Sequence, residues 1–410
     1  VRPQLASATT RVVNATSRRL GRGQGTVAGG RAGLRLDRRL LEHLSAGRQI
    51  ALVTGTNGKT TTTRLLTVAL GASGDEVVSN ETGSNMPPGH VAALAGTKAP
   101  RAVLETDEIY LPRVLTATAA SAVLLLNLSR DQLDRTNEVR MIAGSWRAAL
   151  AAAPHTHVVA NADDPLVVWG AGVARDVHWV GAGLRWQHDA VGCPSCEGRI
   201  AFTEGGWSCA SCGFCRPDPE ATLVVAADGT AHGEWADGRS APVRLSLPGR
   251  FNQSNALMAA VAAEACGVDA LEALAAMEGV EEVAGRFTVR SFGAVRARLM
   301  LAKNPAGWGE LLDLVAGSDA PLVVSINARI ADGADPSWLW DVPYERLTER
   351  AVVATGDRYR DLSVRLQYGG VTHTTEPEPV LAVTRAAAGS DQVVDVIGNY
   401  TAFYDLLAAP

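Results

Sequence analysis

The chain has 410 residues, 47% of them hydrophobic and 20% charged, and a net charge of −5. These values exclude a disordered chain and a uniformly basic nucleic-acid binder, and they allow two or three domains around substantial cores. No run of eighteen apolar residues occurs, so a membrane-spanning helix is excluded as well.

Residues 1–45 read as a helical, Arg-rich lead-in with a Gly-rich break at 21–33. The first fifty residues hold ten arginines against Asp37 and Glu42, a surplus of eight, which leaves the rest of the chain at −13. Such a segment is suited to anionic lipid head groups, or it forms a solvated helical face. The first thirty residues lack the apolar stretch of a secretory signal, so a cytoplasmic location is expected, with the basic start able to reach the inner face of the membrane.

Short apolar strands are predicted at 49–54, 76–79, 101–105, 121–127, 157–160 and 177–180. A helix is expected at 60–72, and further helical patterns lie between several of the strands, the rhythm of a parallel sheet covered by helices. Residues 190–216 break that rhythm and read as a small insertion. Strands near 222–226 and 242–247 and helices at 253–266 and 269–278 follow. The register resets near 290, and 291–410 repeat an α/β theme with strands near 296–301, 321–326, 351–355 and 392–396. The expected organisation is therefore a lead-in (1–45), an ATP-binding domain (46–290, interrupted by 190–216) and a C-terminal α/β domain (291–410).

Gly55-Thr56-Asn57-Gly58-Lys59-Thr60-Thr61 joins the first strand to its helix. Glycines let the backbone approach phosphate oxygens, and the N–H groups at a helix start favour an anion. Lys59 would reach the β- and γ-phosphates of ATP, and Thr60 would ligate Mg²⁺. Glu105 ends an apolar strand, where a hard oxygen ligand suits Mg²⁺. Asn252 and Asn255 stand at the start of a helix, where Asn252 could serve only as an N-cap. Arg130, Asp131 and Asp134 could form an ion-pair cluster.

Cys193-Pro-Ser-Cys196 and Cys209-Ala-Ser-Cys212 are two C-x-x-C knuckles twelve residues apart, a spacing that closes a tetrahedral Zn²⁺ site of structural type. Cys215 is a fifth candidate, and its exchange for Cys212 stays open. Cys266, in an apolar helix, reads as core.

The segment T-G-T-N-G-K-T-T resembles the ATP loop of the Mur ligases and folylpolyglutamate synthases. So do Gly83-Ser84-Asn85, Asn127-Leu128-Ser129-Arg130-Asp131-Gln132-Leu133-Asp134, Asn161-Ala162-Asp163-Asp164-Pro165, Pro248–Ala256 and Gly285-Arg286. Two family histidines are replaced, by Gln132 and Phe251. A Mur-like core interrupted by a four-Cys ribbon is similar to the MurT family of synthetase subunits. The segments 301–307 and 330–341, and Gly398-Asn399-Tyr400-Thr401, strengthen that likeness.

The resemblance implies a Mur-ligase-like P-loop domain with a parallel sheet and an inserted zinc ribbon, plus a C-terminal Rossmann-like α/β domain. It implies nucleotide contacts from residues 55–61, Asn252, Asn255 and Arg286, and Mg²⁺ on Thr60 and Glu105. The activity implied is that of a carbon–nitrogen ligase in peptidoglycan synthesis. ATP would phosphorylate the α-carboxylate of D-glutamate in lipid II, and ammonia from glutamine would give D-isoglutamine. The partner implied is a GatD-like glutaminase in a heterodimer, with lipid II met at the membrane surface and Asp335 lent to the glutaminase's Cys–His pair. From the residues alone, Asp332, Asp335 and Asp341 share a loop with Trp338 and Trp340, which suits either an interface or an acidic loop over core tryptophans. The alternative is a stand-alone amino-acid ligase of the Mur or folylpolyglutamate type. A nucleic-acid-binding zinc ribbon is disfavoured, because 190–216 carries only Arg199 and Arg216 as basic residues.

Overall fold

The computed structural model describes residues 2–19, 26–80, 84–130, 139–281, 287–388 and 393–410. It divides into two compact units, one built chiefly from Val1–Ser129 and Glu138–Glu281, the other from Glu282–Pro410. The division falls at 281/282, and the strand that opens the second sheet begins at Phe287.

The first unit opens with three helices, α1 (Arg2–Arg19), α2 (Thr26–Leu36) and α3 (Leu40–Ser45). The expected Gly-rich break is instead largely helix. The glycines of α2 are contact surfaces: a Cβ at Gly29 would lie 1.9 Å from Asn14 Oδ1, and one at Gly33 2.1 Å from Thr10 Oγ1. Here close helix packing against α1 outweighs the weak intrinsic helix propensity of Gly. These helices belong to the first unit and pack on its body through α5.

There follow β1 (Gln49–Thr54), α4 (Lys59–Gly71), β2 (Val77–Ser79), α5 (Pro87–Ala95), β3 (Arg101–Glu105), α6 (Leu111–Thr118), β4 (Ala122–Leu125), α7 (Val139–Ala151), β5 (His157–Asn161), α8 (Pro165–Ala171) and β6 (Val177–Gly181). A hairpin, β7 (Ile200–Thr203) and β8 (Gly206–Cys209), precedes β9 (Ala221–Val225), β10 (Ala231–Trp235), β11 (Ser240–Pro242), α9 (Arg250–Ala265) and α10 (Ala270–Met277). The strand expected near 242–247 is only the short edge strand β11, with irregular chain from Val243 to Gly249. The large sheet runs β11-β10-β9-β6-β5-β4-β1-β3-β2, parallel from β2 to β9 and antiparallel beyond. Its central strands are buried on both faces, which is why they read as continuous apolar runs.

β1 lies between β3 and β4, so the chain leaves it toward one side and returns on the other. This is the switch point at which open α/β sheets bind ligands, at the carboxyl ends of the strands. Residues 55–61, Glu105 and the loop after β4 all sit at those ends.

The second unit comprises β12 (Phe287–Phe292), β13 (Val295–Leu301), α11 (Pro305–Ala316), β14 (Leu322–Ser325), β15 (Val352–Thr355), α12 (Tyr359–Tyr368), β16 (His373–Thr375), α13 (Pro379–Ala386), β17 (Val394–Gly398) and α14 (Tyr400–Ala408). The sheet order is β12-β13-β17-β14-β15-β16, parallel except for the β12–β13 hairpin. Among the described residues no helix is long and apolar enough to cross a membrane.

Candidate active site and cysteine cluster

The loop between β1 and α4 is held open by its own backbone chemistry. Gly55 and Gly58 take φ values of 139° and 85°, and Gly58 caps α4 in the left-handed region where a side chain is strained. Both glycines also sit where a Cβ has no room: at Gly55 it would lie 3.0 Å from the Asn127 backbone, and at Gly58 2.8 Å from Asn255 Oδ1. The second distance places the Asn255 amide directly against the loop.

The chain after β4 pins the loop from the other side. Thr56 N–H donates to Asn127 O (3.0 Å), and Asn57 N–H donates to Asn127 Oδ1 (2.9 Å). Asn127 Nδ2 returns a bond to Asn57 O (3.0 Å). Thr56 Oγ1 donates to Ser129 O (3.0 Å) and accepts from Ser129 N–H (2.9 Å). These bonds fix the backbone of the loop and leave the N–H groups at the start of α4 with the orientation an anion uses.

Lys59 is buried. Its Nζ donates to Gly55 O, to Thr56 O (3.0 Å) and to Glu108 Oε2 (3.1 Å). The side chains of Lys59 and Glu108 are each 10% exposed, so this is a buried ion pair. Glu108 is a residue that sequence reasoning missed. Its signal lay only in its place three residues past the strand-end acid Glu105.

Glu105 is buried at the end of β3, beside Val53 of β1. Asn80 brackets its backbone, with Oδ1 accepting from Glu105 N–H (2.8 Å) and Nδ2 donating to Glu105 O (2.9 Å). His90 Nε2 donates to the same carbonyl (2.8 Å). A carbonyl only accepts, so the His90 proton sits on Nε2, and burial lowers this imidazole's pKa to about 4. Asn80 and His90 thus position the strand end that carries the acid.

Asn252 does not cap its helix, since the cap of α9 is Gly249. Asn252 lies in the first turn, with Nδ2 donating to Pro248 O (2.7 Å) and Oδ1 buried without a partner. Such an orphaned acceptor is suited to a ligand donor. Asp131, Gln132, Leu133, Asp134, Gly83, Gly285 and Arg286 lie outside the described residues, so neither the expected nucleotide contact of Arg286 nor the expected ion-pair cluster is placed.

Asn161-Ala162-Asp163-Asp164-Pro165 acts as a clamp. Asp164 caps α8 through Oδ1, and its Oδ2 accepts from Leu128 N–H (2.8 Å), so it ties α8 to the segment that pins the phosphate loop. Burial raises this carboxyl's pKa to about 6 against those hydrogen bonds.

The four knuckle thiols converge. Cys193 Sγ lies 3.7 Å from Cys212 Sγ, Cys196 Sγ lies 3.6 Å from Cys209 Sγ, and all four ligand atoms fall within 4.8 Å of one another. These distances are far too long for disulfides. They are close to the edges of a sulfur tetrahedron with metal–sulfur bonds of about 2.3 Å, roughly 3.8 Å each. Cys215 lies outside the group, exposed and bridged to Ser208. Cys266 caps α9 in the core, where burial raises its pKa to about 11. His157, Asp176 and His178 also cluster, at the opposite end of the sheet; Asp176 meets both imidazoles, and Glu220 pairs with His178.

In the second unit the two tryptophans of the acidic loop separate. Trp338 is buried against Trp308, whereas Trp340 is exposed and meets the exposed ring of Tyr368 edge-on at 5.4 Å. Asp332 is buried and accepts from Thr401 N–H (2.8 Å) and Thr401 Oγ1, so it holds the loop to the start of α14. Asp335 is exposed at the tip, with Oδ1 accepting from Ser337 N–H (2.9 Å). Asn304 is the N-cap of α11 and accepts from Gly307 N–H.

Comparison with known proteins sets this geometry in a family. A model described as the Mur ligase middle domain matches residues 53–182, and one described as MurT ligase C-terminal matches 301–403. A UDP-N-acetylmuramate–L-alanine ligase of Mycobacterium marinum is 30% identical over 88% of this chain and 72% of its own length. The chain belongs to the Mur ligase family. Among Mur ligase relatives, the MurT subunit of a lipid II isoglutaminyl synthase (glutamine-hydrolyzing) from Streptococcus pneumoniae is 29% identical over 94% of this chain and 93% of its own. The corresponding subunit of Staphylococcus aureus (strain COL) is 28% identical over 87% and 85%. A solved pseudomurein peptide ligase type C from Methanothermus fervidus shares the fold with a TM-score of 0.70 at 20% identity, covering 90% of this chain and 79% of its own. A folylpolyglutamate synthase from Mycobacterium tuberculosis, complexed with ADP, does so at 0.62 and 16%, covering 90% and 93%. Mur ligases use ATP and Mg²⁺. The residues present fit both: a glycine-containing loop at a helix start with a buried lysine for the phosphates, and the Thr60 hydroxyl and Glu105 carboxylate as hard oxygen donors for the ion.

Proposed function

We propose that this ligase amidates the α-carboxylate of the D-glutamate in the lipid II stem peptide, drawing ammonia from a glutaminase partner of the GatD kind. The supporting observation is the pairing of one cradle with one family model: a buried Lys59 inside a pinned phosphate loop, in a chain whose residues 301–403 match the MurT ligase C-terminal model.

Residues 55–61, with Asn252 and Asn255, would hold the triphosphate, and Thr60 and Glu105 would hold Mg²⁺. A carboxylate oxygen of D-glutamate attacks the γ-phosphorus and ADP leaves, which forms an acyl phosphate. Ammonia then attacks the acyl carbon, phosphate departs with the bonding pair, and the nitrogen loses a proton to give the amide. Phosphorylation is needed because a carboxylate anion is a poor electrophile with no leaving group. Lys59 neutralises charge on the phosphoryl group in transfer. Mg²⁺, when bound, screens the phosphate oxygens from the incoming anion.

The four-thiol cluster would hold a structural Zn²⁺, with every ligand position filled by sulfur. The second unit, read as a Rossmann-like domain, would face the glutaminase. Its exposed loop tip carries Asp335, the acid lent to the partner's Cys–His pair, and the exposed Trp340 and Tyr368 are apolar rings of the kind interfaces use.

The test is amidation of lipid II by the chain co-purified with a candidate glutaminase. Lys59→Ala should abolish turnover with either nitrogen source. Asp335→Asn should remove turnover with glutamine and spare it with ammonium. Equal loss with both sources in Asp335→Asn rejects the lent acid. Turnover of an amino acid by the chain alone, unchanged by glutaminase, rejects the amidation reading in favour of a stand-alone ligase.

A further inference from the structure

The N-terminal helices carry cationic groups that the ATP chemistry does not use. Arg31 and Arg35 lie one turn apart on α2, Arg38 follows the helix, and Arg113 lies in the first turn of α6. With Leu34 they line one concavity of about 520 Å³. None of the four guanidinium groups has a carboxylate partner among the described residues. The acids of the segment are engaged elsewhere: Glu42 pairs with Arg39 (2.7 Å), and Asp37 with His43 (2.9 Å). Like charges at i, i+4 disfavour a helix, and a net charge of −5 makes four such groups around one hollow a local reversal of the chain's overall sign.

Gly30, beside Arg31, rests on the backbone of Pro88, where a Cβ would lie 1.8 Å from the carbonyl oxygen. Pro88 belongs to the first turn of α5, two residues before the His90 that bonds the Glu105 carbonyl. Arg113 follows Glu108, the partner of Lys59, by five residues. The pocket is therefore built from elements joined to the strand-end loops, α2 through its contact with Pro88 and α6 through the chain that follows β3.

We infer that this pocket binds the diphosphate of a polyprenyl-diphosphate-linked sugar, the anionic centre of the lipid substrate in the function proposed above, on which this inference rests. Guanidinium forks match phosphate oxygens bidentately, and a diphosphate offers several charges to several arginines. Leu34 supplies an apolar wall where the prenyl chain departs. A membrane phosphodiester carries one charge and would need only a flat basic patch, whereas these groups surround a concavity. The ATP phosphates have their own cradle at 55–61.

The experiment uses the full chain with ammonium as the nitrogen source, and compares wild type with Arg35→Ala/Arg38→Ala and Arg35→Lys/Arg38→Lys. Against a detergent-dispersed lipid-linked substrate, the alanine pair should raise KM at least tenfold with kcat within twofold, and the lysine pair should recover most of the loss. Against the same muropeptide lacking diphosphate and lipid, the variants should match wild type. Equal effects on both substrates, or on neither, overturn the inference. So does loss of binding to phosphatidylglycerol vesicles with an unchanged KM for the lipid-linked substrate, which assigns the arginines to the membrane surface instead. Calorimetric titration with a short-chain prenyl diphosphate separates this inference from the parent function. Arginine-dependent binding there, by a chain that amidates nothing, upholds the pocket and rejects the activity; arginine-independent binding rejects the pocket.

Discussion

Glu108→Gln is the sharpest perturbation of the site, because it removes one charge from a buried pair and leaves its shape. Lys59 Nζ and Glu108 Oε2 are 3.1 Å apart, and each side chain is only 10% exposed. Removing one partner of a buried pair costs about 3–5 kcal/mol, since the remaining charge stays out of water. The Gly55 and Thr56 carbonyls still accept from Lys59, and glutamine keeps one acceptor oxygen, so the cost belongs at the lower end, about 3 kcal/mol. At roughly 2–4 °C per kcal/mol for a unit of this size, the ligand-free chain should melt about 6–12 °C below wild type. Triphosphate supplies the missing counter-charge, so Mg²⁺-ATP should raise the melting temperature of Glu108→Gln by more than it raises that of wild type. Lys59→Met should also destabilise the chain, and the double variant Lys59→Met/Glu108→Gln should be more stable than the sum of the two losses by about 2–3 kcal/mol. Thermal melts with and without nucleotide read all four corners of the cycle. A melting point within 1 °C of wild type for Glu108→Gln, or strict additivity in the cycle, refutes the view that the two charges neutralise each other in the ligand-free chain.

Gly58→Ala should raise KM for ATP at least tenfold, because its Cβ would sit 2.8 Å from Asn255 Oδ1; Gly74→Ala, at the same φ of 85° but in open space, should pay only the conformational cost of about 1–2 kcal/mol and leave KM unchanged. The pair Cys193→Ser/Cys196→Ser should take the metal content from one Zn²⁺ per chain to none and speed proteolysis within 190–216; an unchanged metal content would place the ion elsewhere. His90 titrates near pH 4 when folded and near 6.5 when unfolded, so the unfolded chain binds the extra proton between those values. Its contribution, about 3 kcal/mol, is therefore complete above pH 6.5 and is lost as the pH falls toward 4, and His90→Asn should flatten the pH dependence of denaturant unfolding in that window.

The sequence was most legible where the chemistry is local. The phosphate loop needs a strand, two glycines, a lysine and a helix within about a dozen consecutive residues, and each leaves a mark in the chain. The cysteine knuckles are legible for the same reason. Contacts across long separations were not: Lys59 and Glu108 are 49 residues apart, and nothing in the periodicity pairs them. The misreading of α2 has a different cause. Glycines at 29, 30 and 33 carry the same letters whether they break a helix or let two helices touch, and only the neighbouring Thr10, Asn14 and Pro88 decide between the two. Trp338 and Trp340 are two residues apart in a turn of 3₁₀ helix, so one faces the core and the other the solvent, and no pattern of residue types separates them.

The hydrogen bonds also explain why a cysteine insert belongs in this unit at all. From the phosphate loop, Thr56 and Asn57 are tied to Asn127 and Ser129. Leu128, between those two, donates to Asp164, and Asn161 Nδ2 donates to Leu126 O (3.1 Å). The next residues of the clamp reach the insert: Asp163 accepts from Arg216 Nε at 2.6 Å, and Ala162 O accepts from Trp207 Nε1 at 3.1 Å. Trp207 in turn packs with Cys193 and Cys209. Three short polar steps and the packing of Trp207 therefore link the four-thiol cluster to the backbone of the loop after β1. Charge-assisted bonds such as Arg216–Asp163 keep their geometry only if both ends are held, and a hairpin of two four-residue strands holds little by itself. A metal ion held by the four thiols would stiffen that hairpin at its base. So loaded, the insert would brace the loop after β1 from behind, a role that needs neither an open coordination position nor a basic surface.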